Sequence, residues 1–87
     1  MDTSRYFQRR NIQVARVPAE ILEKARRVID RLEKGQPYWQ LHGKRLVANR
    51  NKISIPVGQH WRILADDVDG KVCPRAVLSH QTYNKVI

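Results

Sequence analysis

The amino-acid sequence predicts an α+β fold, an antiparallel sheet with an amphipathic helix packed on one face and a short C-terminal helix. Three observations predict it. One stretch of helical periodicity occupies the first half of the chain, strict alternation of apolar and polar residues takes over in the second, and the connections between the alternating segments are too short for parallel crossovers. The 87 residues suffice for one modest core and not for two, so a single domain over the whole chain is expected.

The helix is expected over 18–34. Ile21, Leu22, Ala25, Val28, Ile29 and Leu32 form one continuous stripe at a period of about 3.6 residues. Pro18 stands at the first turn, where a missing N–H does no harm, and Gly35 follows the last periodic residue, where a left-handed cap is easy. Glu20 with Lys24 and Glu23 with Arg27 lie four apart in the favourable order, worth about 0.2–0.5 kcal/mol each. Much of the helix's charge is thereby a solvated face. The residues before Pro18, including Tyr6-Phe7-Gln8-Arg9-Arg10, fit a short helix and equally a strand at Ile12 to Val14.

After Pro37 the period becomes 2. Ile53, Ile55 and Val57 alternate with Lys52, Ser54 and Pro56, which predicts a strand with one apolar face. Trp61 to Ala65 and Pro74 to Leu78 are further strands, and Tyr38 to Leu41 and Arg45 to Ala48 are weaker ones; Gly58 and Asp69-Gly70 supply hairpin turns. Pro56 removes a backbone donor, so its strand must be an edge or bulged at that point. Ser79 can cap a C-terminal helix from His80 toward Ile87, with Tyr83, Val86 and Ile87 facing the sheet.

Seventeen Lys and Arg against eight Asp and Glu leave a formal charge of +9, a field that a polyanion would neutralise. Nucleic acid is the leading partner, and an acidic protein is the other. The lone Cys73 cannot form an internal disulfide, which together with the lack of a signal-type apolar core after Met1 points to the cytoplasm. Apolar runs such as Ile63-Leu64-Ala65 are far short of the about 18–20 residues that span a bilayer, so no membrane is expected.

With the helix pairs set aside, the remaining cations collect in the sheet half, at Lys44, Arg45, Arg50, Lys52, Arg62, Lys71 and Arg75. Such an array suits phosphate contacts, and equally a solvated strand face. Trp39, Trp61, Tyr38 and Tyr83 could stack on unpaired bases or fill the core. His42, His60, His80 and Cys73 show no ligand spacing, so no metal is expected, and hydrolase and phosphate-loop motifs are missing. One chemistry needs only side chains and no cofactor, the cleavage of RNA by its own 2′-hydroxyl. It requires a group to take the 2′ proton, cations on the phosphate and an acid for the leaving oxygen. His80, Tyr83, Lys44, Lys52 and Arg62 are of the right types. Histidine titrates near about 6.5 and tyrosine near about 10, which favours His80 as proton carrier.

In order along the chain, Val17-Pro18-Ala19-Glu20-Ile21, Leu41-His42-Gly43-Lys44-Arg45-Leu46, Val57-Gly58-Gln59-His60-Trp61-Arg62-Ile63-Leu64 and Ser79-His80-Gln81-Thr82-Tyr83-Asn84-Lys85 resemble the RelE/ParE toxin superfamily, nearest its ParE-like branch. The resemblance covers 17–87. It implies a sheet with helices on one face, toxicity directed at translation or at DNA gyrase, and an antitoxin partner from an adjacent gene. By likeness to the RNA-cleaving members it places Arg62, Lys44 and Lys52 on the phosphate and His80 or Tyr83 in proton transfer; from the basic array of the sheet half, Arg45, Arg50, Lys52 and Arg75 are expected as further nucleic-acid contacts. A ribosome-dependent mRNA endoribonuclease is the expected activity. The alternatives are a gyrase-directed toxin and a non-catalytic nucleic-acid-binding or interaction domain of the same fold.

Overall fold

The computed structural model describes residues 3–14, 16–47 and 49–82. A short helix α1 (Thr3–Arg9) leads into strand β1 (Gln13–Val14), then helix α2 (Ala19–Glu33), a 3-10 turn at Tyr38–Leu41, and strands β2 (Lys44–Arg45), β3 (Lys52–Val57), β4 (Trp61–Val68) and β5 (Lys71–Ser79). The strands form one sheet in the order β1-β5-β4-β3-β2. All neighbours pair antiparallel except β1, which runs parallel to β5 through Gln13↔Ala76 and Val14↔Val77. The fold is the expected α+β arrangement, with this one parallel edge added.

Helix α2 lies on the sheet by the stripe that its period defines. Ala25 and Ile29 are fully buried, and Ile21, Leu22, Val28 and Leu32 pack half-buried around them. Gly35 N–H donates to Leu32 O and Gln36 N–H to Arg31 O, both at 3.0 Å, the paired bonds that close a helix on a left-handed residue. On its outer face Glu23 meets Arg26, three residues on, at 3.9 Å, in place of the expected Arg27.

The N-terminal segment, which fitted either a helix or a strand, contains both. Phe7 is fully buried and Ile12 nearly so. Tyr6 stacks edge-on against Phe7 with centroids 5.3 Å apart, and its hydroxyl donates to Asp30 Oδ1 at 2.7 Å. Burial, then this bond, pushes the Tyr6 hydroxyl pKa upward. The Arg10 guanidinium lies 3.7 Å from the Tyr6 ring centroid and pairs with Glu33 at 2.7 Å. Those contacts tie α1 to the last turns of α2.

Within the sheet, Ile53, Ile55, Val57, Ile63, Ala65 and Val77 point at the helices and are buried. Turn residues Asp69 and Gly70 both take positive φ, 54° and 83°, the twist that a two-residue hairpin requires. Pro56 lies past Ile53 and Ser54, the two residues that β2 covers, so the strand is an edge there as its missing donor demands. Pro74 is accommodated by a bulge: Ala65 faces Pro74 and Leu64 faces Ala76, leaving Arg75 as the extra residue.

Two weaker strand expectations are corrected. Tyr38–Leu41 is a 3-10 turn, because Gly43 N–H closes it onto Tyr38 O at 2.9 Å, so tightly that a Cβ on Gly43 would stand 2.8 Å from that oxygen. The second strand covers only Lys44–Arg45 rather than Arg45 to Ala48. Ser79 caps as expected: its Oγ accepts the Thr82 N–H at 3.2 Å and residues 80–82 are helical. The expected packing of Tyr83, Val86 and Ile87 lies outside the described residues. Trp61 packs against the core, whereas Trp39 does not and is 64% exposed.

Because Phe7 is the largest fully buried side chain contributed by the N-terminal segment, Phe7→Ala should lower the unfolding free energy by about 3–5 kcal/mol in urea denaturation. A loss of under about 1 kcal/mol, the range of surface substitutions, would mean that α1 is not docked.

Candidate nucleic-acid interface

Alternation along β3 that sends Ile53, Ile55 and Val57 to the helices sends Lys52, Ser54 and Pro56 to the opposite, open face. Residues directly opposite one another share a face, so the pairings extend this face into three rows. One row runs Lys44, Ser54, Leu64, Ala76, Gln13; beside it lie Pro56, Arg62 and Leu78; on the other side lie Lys52, Asp66 and Cys73. Arg62 therefore sits on β4, the middle strand of the five.

Ser54 is the one buried polar side chain among the described residues, 2% exposed although it points away from the helices. Arg62 accounts for it. Arg62 Nη1 donates to Ser54 Oγ at 3.1 Å, so the half-buried guanidinium is drawn onto the sheet instead of extending into solvent. Lys44 stands directly across from Ser54 on the neighbouring strand. The register thus sets Lys44 opposite the serine whose hydroxyl Arg62 bonds. His80 lies at the same end of the sheet: it follows by two residues Leu78, the partner of Arg62, and its N–H donates to His60 O at 2.7 Å. Its side chain is exposed. Tyr83 lies outside the described residues.

The other expected nucleic-acid contacts are engaged elsewhere. Asp66 holds both Lys52 and Arg75, the latter at 3.0 Å. The hydrogen bond from Lys52 and then that from Arg75 keep the Asp66 carboxyl below its ordinary range, against the opposing effect of burial. Arg45 is on the helix-facing side, paired with Asp67 at 2.5 Å, donating to Arg50 O at 2.8 Å and lying 5.5 Å from the Tyr38 ring. Its pKa is raised and that of Asp67 lowered, each first by this bond. Arg50 is exposed in the β2–β3 connection. Sequence reasoning missed Ser54, a small polar residue at an outward position that carries no chemical signal of its own. Nor did it find that Asp66 holds cations of both neighbouring strands and Asp67 one of β2.

Among the described residues no group of three or more His, Cys, Asp and Glu could hold a metal, and Cys73 is a free thiol. None of the described helices is long and apolar enough to cross a membrane. A family model, the ParE-like toxin domain, matches residues 19–85. Neither a curated protein nor a solved structure matches the chain.

The depressed Asp66 carboxyl links stability to pH. A folded-state value below the ordinary 3.8 gives stabilisation that is complete above 3.8 and is lost as pH falls through the depressed value. Asp66→Asn should be less stable than the unsubstituted chain by about 1 kcal/mol at neutral pH, as befits a partly exposed ion-pair network. Thermal melts between about pH 6 and pH 2 should show that gap closing on acidification below about 4; a gap that widened there would contradict the assignment.

Proposed function

Because the chain belongs to the ParE-like toxin family, we propose that it is the toxin of a type II toxin–antitoxin pair, working as a ribosome-dependent mRNA endoribonuclease in the cytoplasm, with all 87 residues in one domain. The observation that carries this reading is the placement of Arg62 on the central strand, anchored on Ser54 with Lys44 across from it. Two cations so placed suit the non-bridging oxygens of one phosphate. An arginine stays charged in essentially any setting, and a guanidinium fixed beforehand loses little rotational freedom when the phosphate arrives.

The reaction that these groups can support is an intramolecular transfer. The ribose 2′-oxygen attacks the adjacent phosphorus while His80 or Tyr83 takes its proton, the bond to the 5′-oxygen breaks, and that oxygen leaves with a proton given up by the same pair, yielding a 2′,3′-cyclic phosphate. Negative charge grows on the phosphate oxygens in the transition state, where Arg62 and Lys44 would stabilise it most. The partner on the protein side is an antitoxin. Lys52 and Arg75 held on Asp66, and Arg45 on Asp67, favour a second reading, in which a domain of the same fold binds without cutting.

Primer extension on messenger RNA from translating ribosomes tests the first reading. Cuts should appear with the unsubstituted protein, and Arg62→Ala and His80→Ala, matched for folding stability, should each reduce cleavage about a hundredfold. Unchanged cleavage in both variants would remove this site. Growth arrest with intact messenger RNA and damaged DNA would redirect the toxin to gyrase, and harmless overexpression without cleavage would leave the binding domain.

A further inference from the structure

The cations of the open face do not exhaust the molecule's binding features. Toward the Asp69–Gly70 hairpin, away from His80, a cleft of about 820 Å³ opens between the end of α2, the 3-10 turn and the first half of β5. A cavity of that size holds a small organic molecule when its lining is largely apolar and a few polar groups converge in it. Ile12, Leu32, Pro37 and Pro74 supply apolar lining. An aromatic ring, a strand edge and a cation then select the molecule.

Trp39 stands at the cleft and is 64% exposed, the one exposed aromatic side chain among the described residues. Its place is set by the 3-10 turn. Gly43 N–H closes that turn on Tyr38 O at 2.9 Å, and the Tyr38 ring meets the indole edge-on, with centroids 5.1 Å apart and planes at 81°. Tyr38 is itself approached by Arg45, 5.5 Å from its centroid, whereas the indole keeps most of its surface open. Stacking of a base on such a ring requires a flat π-system and no particular sequence.

The β5 edge supplies direction. β1 pairs only with Ala76 and Val77, and among the described residues no strand lies beside Lys71–Arg75 on that side. In an antiparallel pair, opposed residues alternate between those that bond to each other and those whose N–H and C=O point outward. Asp67 N–H is taken by Asn51 O at 2.8 Å, on the β3 side, so Asp67 and its partner Val72 are a pair of the outward kind. Val72, which lines the cleft, therefore turns its N–H and C=O to the open edge. In an extended residue those two groups lie side by side and point the same way, as the adjacent acceptor and donor on the edge of adenine do.

Lys71 completes the set. Arg10, Arg45 and Arg75 rest on Glu33, Asp67 and Asp66, but Lys71, exposed at the cleft, forms no ion pair among the described residues. An ammonium held by no carboxylate is open to a phosphate. A pyrimidine offers less surface to stack, and an extended peptide has no flat face for the indole.

We propose that this cleft binds an unpaired adenine nucleotide, free or within a single strand of nucleic acid. The base stacks on Trp39, its amino group and the neighbouring ring nitrogen pair with Val72 C=O and N–H, and its phosphate lies near Lys71. The site uses none of Arg62, Lys44 or His80 and is read without ribosomes or cleavage, so its failure and that of the ribonuclease reading are separable.

Adenosine monophosphate titrated against the full chain should shift the Trp39 indole N–H and the Val72 amide in nitrogen-15 spectra, saturating at about millimolar concentration. Purine riboside monophosphate, which lacks the amino donor, should bind about fivefold more weakly. Trp39→Ala should weaken binding about fivefold or more. Lys71→Ala should weaken the nucleotide about two- to fivefold and leave adenosine unchanged. Both positions are exposed, and an otherwise unaltered spectrum certifies the fold of each variant. A short oligoadenylate that binds about tenfold tighter than the mononucleotide assigns the base to a strand, and equal affinity assigns it to a free nucleotide; either supports the site. No saturation, unchanged binding by Trp39→Ala, equal binding of a ribose phosphate lacking the base, or shifts confined to the Lys44 and Arg62 face would overturn the proposal.

Discussion

Strand β4 must satisfy two unlike faces at once, and the rest of the structure follows from how it does so. It is the middle of five strands, so its backbone groups are committed to ladders on both sides and its side chains alone carry the difference between the faces. Ile63 and Ala65 go inward, fully buried beneath the helices, while Arg62, Leu64 and Asp66 go outward. The inward residues fix the register, because a slip of one residue would place Arg62 and Asp66 in the core. The register in turn puts Arg62 over Ser54 and Asp66 beside Lys52.

That constraint explains which parts were legible in the sequence. The stripe of α2 and the alternation of β3 are each set by burial of one face, so period alone located them, within a residue for the helix and to the residue for Lys52–Val57. Pro56 was readable as an edge because a missing N–H is a local fact. The 3-10 turn at Tyr38–Leu41 was not, since its apolar and aromatic content resembles a strand's and only the contact between Gly43 and Tyr38 O decides it. The segment before α2 was ambiguous for a related reason. Phe7 is buried by its contacts with other elements, and a seven-residue helix is too short to be stable or recognisable alone.

Of the candidate site, Arg62 and Lys44 were identified by residue type and resemblance, but the Ser54 hydroxyl that Arg62 bonds was not, because a serine acquires meaning only from the strand opposite. The cations illustrate the same limit. A net charge of +9 says how many positive groups are in excess and nothing about which are held. Asp66 and Asp67, adjacent in sequence, lie on opposite faces of β4 and so draw their cations from different surfaces, Lys52 and Arg75 on one and Arg45 on the other. Two neighbouring acids thus sort three cations into two environments, an outcome that composition cannot express.

The same sorting separates the ends of the sheet. Toward the His60–His80 end the outward surface has the Arg62 guanidinium bonded to the Ser54 hydroxyl. Toward the Asp69–Gly70 hairpin the guanidinium and ammonium groups rest on carboxylates, so an anion arriving there must compete with a fixed charge within about 3 Å. At that end charge is partly balanced, and among the described residues no strand lies beside Lys71–Arg75. One strand, by carrying a serine's partner near one end and an aspartate near the other, gives the two ends of its outward face different polar environments.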